Sequence, residues 1–401
     1  MEEENQYPLQ GVRVLELGTL LAGPFSGRLL ADFGAEVIKV EPPGKSDPMR
    51  DWGKKKDGVG LWWPIQSRNK KSVTLNLREE AGQNLLKDLV KESDVIIENF
   101  RPGTMEKWGL SYEILSEINP KIIMVRTSGY GQTGPYKSRA GFGSVAEAMG
   151  GLRYVTGFPD RPPSRIGISI GDTLAALFAT IGCLTALHER EKSGKGQVVD
   201  TAIYEAVFSV MESTIPDYLL AGYLRERMGN ILPGVSPSNI YLTQDETYIV
   251  IGANADGVFK RLCQAMGQPE LAEEPEYATH DARGKNMKEL DALIERWTKS
   301  LPAKDSLALL EEYGVPSGLI YSTKEIVDDP HYKEREMIIN VNHPVLGDFP
   351  MPGIVPKLSR TPGKVLRPGP EHMGKDNEAI YKDLLKLDEE EIIELKEKKI
   401  I

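Results

Sequence analysis

Cysteine is nearly absent from this 401-residue chain: only Cys183 and Cys263 occur, far apart and without the spacing of a metal site. A disulfide framework and a thiolate zinc site are both unsupported, and a reducing interior is the default compartment. Long apolar runs are also missing, since no stretch reads as the roughly 18 apolar residues of a membrane span. The start, Met1-Glu2-Glu3-Glu4-Asn5-Gln6, has neither the basic nor the apolar region of a signal peptide. Positive charge is in deficit, with 49 Lys and Arg against 59 Asp and Glu, a formal net charge of −10 and a pI near 5.3. No general basic field therefore recruits nucleic acid or anionic membrane, and a polyanionic ligand needs a local basic site. What remains is ordinary: 40% hydrophobic and 27% charged residues, in a chain long enough for two or three domains. These features predict a cytoplasmic protein with neither nucleic-acid nor membrane partners.

The first half alternates strand and helix. Val12 to Leu17 reads as a buried strand, Gly18 to Gly23 as a turn, and Pro24 to Asp32 as a helix opened by Pro and stopped by Gly34. Strands are expected at Glu36 to Val40, Val73 to Leu77, Val95 to Ile97 and Ile122 to Thr127, with helices at Glu79 to Lys91 and around Met105 to Ile118. Strands separated by helices of about ten residues predict a parallel sheet with both faces covered, whose ligands gather at the carboxyl ends of the strands. The loops to watch are therefore Gly18 to Pro24, Glu41 to Gly44, Glu98 to Gly103 and Ser128 to Tyr136. The first imitates a dinucleotide site, because Glu41 lies at a suitable distance. However, the G-x-G-x-x-G fingerprint is absent and Leu20, Leu21 and Ala22 stand where glycine is wanted.

Small residues fill a helix-like stretch from Ala140 to Gly151, which close backbone packing explains. A smooth helix, read as buried, follows from Thr173 to Glu191, and a strand from Gln197 to Ile203. Beyond a helix over Tyr204 to Arg227, the run Gly229 to Asn239 is a loop signal. Strands at Ile240 to Thr243 and Tyr248 to Gly252 and helices near Val258 to Met266 and Leu290 to Lys299 suggest a smaller α+β domain. Short strands return at Gly318 to Ser322 and Ile338 to Ser359; Pro352 to Pro370 reads as a connector and Asp376 to Lys399 as a charged helical tail. The expected division is a large domain over 1–224, a small α+β domain over 225–330, and a return to the large domain over 331–401.

One carboxylate draws attention. Asp172 lies in Ile168-Ser169-Ile170-Gly171-Asp172-Thr173, where a Gly/Pro-rich segment gives way to the long helix. Asp before an apolar run is a common N-cap. The same position suits a nucleophile, because a carboxylate is ionised at neutral pH and needs no base, and helix-terminal N–H groups favour developing negative charge.

Taken together, the segments resemble the class III CoA-transferase family nearly end to end. The resemblance rests on Leu21-Ala22-Gly23-Pro24, Gly34 to Glu41, Asn69-Lys70-Lys71-Ser72, Glu98-Asn99-Phe100-Arg101-Pro102-Gly103, Ser128 to Pro135, and Gly171-Asp172. It implies a doubly wound, mostly parallel (Rossmann-like) α/β domain with a smaller α+β domain, in an interlocked homodimer. It also implies transfer of CoA from an acyl-CoA donor to a free carboxylic acid through an aspartyl-CoA thioester on Asp172, with coenzyme A as co-substrate and no metal. CoA contacts carried over by the resemblance are Leu21, Ala22, Leu75, Asn76, Leu77, Arg78, Asn99, Phe100, Arg101 and Lys107, with Arg139 replacing a family Lys at Ala140. Trp52, Phe142 and Gly234 fall at substrate positions. Leu232 to Asn239 replaces the glycine run of formyl-CoA transferase and argues against oxalate and formyl-CoA. Arg50, Arg139, Arg153 and Arg165 suggest a dicarboxylate acceptor such as succinate, glutarate or malate. Two other readings are an α-methylacyl-CoA racemase-like proton-transfer enzyme, disfavoured because no His precedes Asp172, and a non-catalytic CoA-binding subunit.

Overall fold

The computed structural model describes residues 7–401, which fall into two compact units. One comprises residues 7–152, 167–212 and 331–401; the other comprises residues 153–166 and 213–330.

Along the chain come β1 (Arg13–Glu16), α1 (Pro24–Asp32), β2 (Glu36–Glu41), a short hairpin of β3 (Lys55–Lys56) and β4 (Val59–Gly60), α2 (Trp63–Gln66) and β5 (Lys71–Thr74). Next are α3 (Glu80–Lys91), β6 (Val95–Glu98), α4 (Thr104–Lys107), α5 (Tyr112–Ile118), β7 (Ile123–Ser128), α6 (Gly143–Met149), α7 (Leu152–Val155), α8 (Ile170–Ser193), β8 (Val198–Ala202) and α9 (Ile203–Phe208). Six strands form one sheet in the order β5-β2-β1-β6-β7-β8, and every pairing is parallel. The winding direction reverses between β1 and β6, the switch point beside which ligands of such sheets bind. This is the doubly wound α/β architecture that the strand–helix alternation predicts.

Both faces are covered, which is why the strands read as apolar runs. Leu15, Ile38, Val73, Ile96 and Met124 pack under Leu86, Leu89 and Val90 of α3 and under Tyr381 and Ile400 from the end of the chain. Val14, Val37, Val95, Ile97 and Val125 pack on the other side with Ala179 and Cys183 of α8. Each such aliphatic side chain contributes about 1.5–3 kcal/mol on leaving water. The exposed edge of β5 is blunted by the region after residue 373. Asp376 accepts the Ser72 N–H at 2.7 Å, Asn377 accepts the Thr74 N–H at 2.9 Å, and the Asp376 N–H returns to Ser72 O at 2.9 Å.

Several sequence expectations shift. The helix expected around 105–118 is two, because Gly109 turns the chain at φ 65° between α4 and α5. The helix expected over 204–227 breaks into α9 and Thr214–Ala221, with Glu212 at φ 51° between them and Gly222 at φ 66° ending the second. The strand expected at 73–77 is Lys71–Thr74, leaving Leu75 and Leu77 beyond it.

Helix α8 departs from expectation twice. It is not wholly buried: Ala179 and Cys183 pack on the sheet and Ala175 and Ala176 are buried, whereas Leu177, Leu184 and Ile181, at 58%, are exposed. It is also, by length and composition alone, long and apolar enough to cross a membrane, contrary to the reading that no stretch approaches this. The alanine-rich flank explains the close packing on β7 and β8 that the exposed leucines do not share. The small residues of 140–151 pack as expected, since a Cβ on Gly150 would lie 2.6 Å from Val207 of α9.

The second unit has an antiparallel sheet in the order Ser317–Leu319, Tyr248–Gly252, Ser238–Leu242. Ile249, Ile251 and Tyr241 pack there with Phe259, Leu262, Leu290, Ile294 and Leu310 of its helices. Arg283 is fully buried, and its guanidinium donates to Ser236 O, Tyr277 O and Asn254 O and pairs with Asp256 at 2.6 Å.

Candidate active site

The loop after β1 is held in an unusual shape. Leu20 has φ 66°, a left-handed conformation that costs a non-glycine residue roughly 1–2 kcal/mol. Asp47 holds it there by accepting the Leu20 N–H on Oδ1 and Oδ2 at 3.1 and 3.2 Å. Lys39 binds the same loop, donating to Gly18 O while pairing with Asp47 at 2.8 Å. From the other side Asn99, just after β6, accepts the Thr19 N–H at 2.9 Å and donates to Thr19 O at 2.8 Å. A Cβ on residue 18 would lie 2.4 Å from the Asn99 Oδ1, so that position requires glycine. The Asn99 amide thus spends both ends on this loop, at the switch point of the sheet.

A buried set of charges supports these contacts. Glu16, Lys39, Asp47 and Lys70 are each no more than 2% exposed. Lys70 pairs with Glu16 at 2.8 Å and donates to Pro24 O at 2.7 Å, and Lys39 lies 3.4 Å from Glu16. Burial alone would raise the Asp47 pKa, but the ammonium of Lys39 and the backbone donors overcome it and hold the carboxyl below the usual aspartate range. Burial would likewise lower Lys39, yet Asp47 and Glu16 keep it above an ordinary lysine. For Lys70 burial wins over Glu16, so its pKa falls. Glu41 is buried too, but Arg50 at 2.6 Å outweighs that burial and leaves its pKa depressed. Breaking one partner of such a pair costs about 3–5 kcal/mol, because the other charge stays buried.

At the end of β7, Gly129 and Gly141 close the intervening loop on itself: a Cβ on Gly129 would lie 2.9 Å from the Gly141 Cα. The Gln132 N–H is accepted by Asp200 of β8 at 2.9 Å. This fold-back places α6 against the start of α8. A Cβ on Gly143 would lie 2.4 Å from Asp172 Oδ2 and 3.0 Å from Oδ1, so the carboxylate rests directly on the Gly143 backbone. Asp172 is half-buried in the first turn of α8 but is not its N-cap; Ser169 is, and it makes no side-chain cap bond. Glu147, one turn along α6 from Gly143 and buried, accepts the Gly171 N–H at 3.5 Å. Ala22 packs with Ala146 of α6 and Ala175 of α8, which brings the β1 loop to the Asp172 turn.

Not every other residue singled out in the sequence falls at this turn. Leu21 packs with Met49 and Trp63, Trp62 joins that group, and the Trp52 ring lies 5.9 Å from Trp62. Phe142 caps α6 and is 68% exposed. Leu75 and Leu77 are sunk in the core; the Asn76 N–H bonds Ile400 O at 2.8 Å, and Arg78 is exposed. Phe100 packs edge-on against Trp108 at 5.2 Å. Arg101 and Lys107 are exposed, on the β6–α4 loop and on α4. Arg139 stacks on Tyr136 at 3.6 Å. Gly234, with φ 74°, lies in the second unit, as do Arg153 and Arg165. Arg50, expected as a substrate cation, is instead committed to Glu41 and to Pro370 O and lies over the Trp63 ring. Among the described residues, no group of three His, Cys, Asp or Glu side chains is placed to hold a metal ion.

Sequence reasoning missed Gly143, Asp47, Lys39 and Lys70. For Lys39 a signal existed: a lone charge inside the apolar strand Val37-Ile38-Lys39-Val40 must find a buried partner.

Fold and site together define an α/β enzyme with a carboxylate set at a helix start beside the switch point of a parallel sheet. The chain belongs to CoA-transferase family III, whose family model matches residues 9–377. It is 59% identical over 395 residues, covering 98% of each chain, to succinyl-CoA–D-citramalate CoA-transferase of Chloroflexus aurantiacus. It is 35% identical over 393 residues, covering 98% of this chain and 89% of the relative, to the Homo sapiens succinyl-CoA:glutarate CoA-transferase. Among solved structures, a CaiB/BaiF family protein from Brucella suis superposes with TM-score 0.82 at 36% identity, covering 94% of this chain and 99% of that one. The protein is therefore an enzyme of the CoA-transferase class, with CoA as its co-substrate.

Proposed function

We propose that the enzyme moves CoA from succinyl-CoA to a short dicarboxylic acid of the citramalate type, with Asp172 as nucleophile. The observation that carries this reading is the Asp172 carboxylate lying bare-backed against Gly143 at the first turn of α8. An Asp172 oxygen attacks the thioester carbonyl, the C–S bond breaks, and CoA leaves as thiolate. The thiolate then attacks the aspartyl carbonyl of the resulting anhydride, releasing succinate and leaving CoA on Asp172. The incoming carboxylate attacks that thioester and becomes the new anhydride, which the returning thiolate cleaves to free Asp172. Overall, one thioester and one free acid are exchanged for another pair at nearly equal free energy, so no ATP is consumed and the protein contributes positioning and charge stabilisation.

In this reading CoA runs along the carboxyl edge of the sheet, against Leu21 and Ala22, the backbone of Leu75 to Arg78, Asn99 to Arg101, and Lys107 and Arg139. Arg101 and Lys107 serve its phosphates, and Trp52 and Phe142 border the acyl group. The donor and acceptor are supported by the names of the full-length relatives. The test offers succinyl-CoA with a panel of free acids and reads the new thioesters by mass spectrometry. Citramalate and its short dicarboxylate neighbours are expected to react; exclusive transfer to aromatic or branched monoacids would overturn the choice of acceptor.

We also propose a homodimer in the cytoplasm. Exposed Leu177, Ile181 and Leu184 on α8, and Leu219 and Leu220, the latter 86% exposed, in the second unit, are apolar surface of the kind that association covers. Both cysteines are free and buried, in keeping with a reducing compartment. Light scattering is expected to give twice the 44.5 kDa of one chain; an active monomer would remove the dimer.

A further inference from the structure

We propose that Asp47 is a positioning residue for the acyl-CoA site: by holding Leu20 in its left-handed conformation, it fixes the backbone of the β1–α1 loop that presents Leu21 and Ala22. The inference rests on the reading above that these two residues contact CoA. Asp47 belongs to neither the loop nor the reacting groups, and it reaches the loop from the segment after β2. Its two oxygens receive the Leu20 N–H, and the same carboxylate takes the Met49 N–H at 2.9 Å and the Lys39 ammonium at 2.8 Å. The Asp47 N–H in turn is fixed by Glu41 at 2.9 Å. The carboxylate is therefore itself held, by Met49 and by Lys39, and Lys39 also ties Gly18 of the loop.

The loop needs that hold. Leucine disfavours φ 66°, and a loop released from Asp47 would return to the ordinary φ-negative regions. Flanking contacts do not replace it, because Asn99 bonds Thr19 and Lys39 bonds Gly18, both on the N-terminal side of Leu20. The side chains of Leu21 and Ala22 point into two different packing groups, Leu21 with Met49 and Trp63, Ala22 with Ala146 and Ala175. A change of φ at residue 20 would disturb both together.

The test uses the full-length enzyme with succinyl-CoA and CoA as probes. Asp47→Ala, which removes both oxygens that accept the Leu20 N–H, is expected to raise the KM for succinyl-CoA about tenfold while kcat stays within about threefold, the penalty of one left-handed leucine. Leu20→Gly in that background is expected to restore the KM of the Leu20→Gly single variant, since glycine adopts this conformation unaided. A merely structural Asp47 would not be rescued in this way. Leu20→Val with Asp47 intact is expected to raise KM similarly, which keeps the test open should Asp47→Ala fold poorly.

Hydrogen exchange of residues 18–23 separates this inference from the one beneath it. Without ligand, Asp47→Ala is expected to speed exchange there by about tenfold; unchanged exchange, an unchanged KM, or a double variant as impaired as Asp47→Ala overturns the positioning role. In the unaltered protein, CoA is expected to slow exchange in the same segment. If it does not, Leu21 and Ala22 are not CoA contacts, and the link from Asp47 to KM falls with them.

Discussion

Asp172→Asn protein is expected to fold, bind acyl-CoA and transfer nothing measurable, with kcat lower by on the order of 10⁴-fold or more. The amide has nearly the volume of the carboxylate, and the residue is half-buried at the helix start, so packing against Gly143 survives. Its nitrogen is neutral and non-nucleophilic, and its oxygen carries no charge to attack with. Because every step of the proposed cycle passes through this one group, there is no partial route for the substrate to take. Peptide mass spectrometry adds an independent reading. Unaltered enzyme quenched with succinyl-CoA should carry CoA on the peptide containing Asp172, and the variant should carry none. Turnover near the original rate in Asp172→Asn would end the proposed mechanism.

Gly143→Ala is expected to lower kcat about 100-fold with little change in the KM for acyl-CoA, the effect of misplacing a reacting group by about 1 Å. The added methyl carbon would stand 2.4 Å from Asp172 Oδ2 and 2.8 Å from its Cγ, well inside contact distance. Of the two groups the carboxylate is the one that yields, since Gly143 is fixed at the first position of α6 and its neighbour Ala146 is packed against Ala22 and Ala175. Stability should not fall in parallel, because the added methyl meets the far end of the Asp172 side chain and not backbone. A lower kcat without a lower melting temperature distinguishes displacement of the nucleophile from damage to the fold. Activity within about twofold of the parent would show that the carboxylate does not work from the place where it rests.

The parallel sheet was legible because its strands are apolar on both faces and its helices punctuated by Gly and Pro, as at Pro24 and Gly34. What the pattern concealed was polar. β5 reads Lys-Ser-Val-Thr, which does not look like a buried strand, and the apolar Leu75 and Leu77 drew the reading two to three residues downstream. Its charges are tolerated because Lys70 and Lys71 find Glu16 and Glu36 on other strands, partners 54 and 35 residues away in sequence. Helix breaks were missed for a related reason: Gly109 looked like one weak residue in a periodic stretch, and Glu212 carries no left-handed signature at all. At the site, Asp172 was visible as an acid before an apolar helix. That a glycine 29 positions earlier makes room for it was not, since only the fold-back at Gly129 and Gly141 joins the two.

The blunted edge of β5 has a consequence for synthesis. Strand residues Ser72 and Thr74 leave the ribosome about 300 residues before Asp376 and Asn377, which complete their hydrogen bonding. Throughout that interval the nascent sheet carries an open side able to pair with another chain. Premature termination upstream of residue 376 would make that opening permanent, so truncated products of this gene should aggregate instead of persisting as partly active fragments.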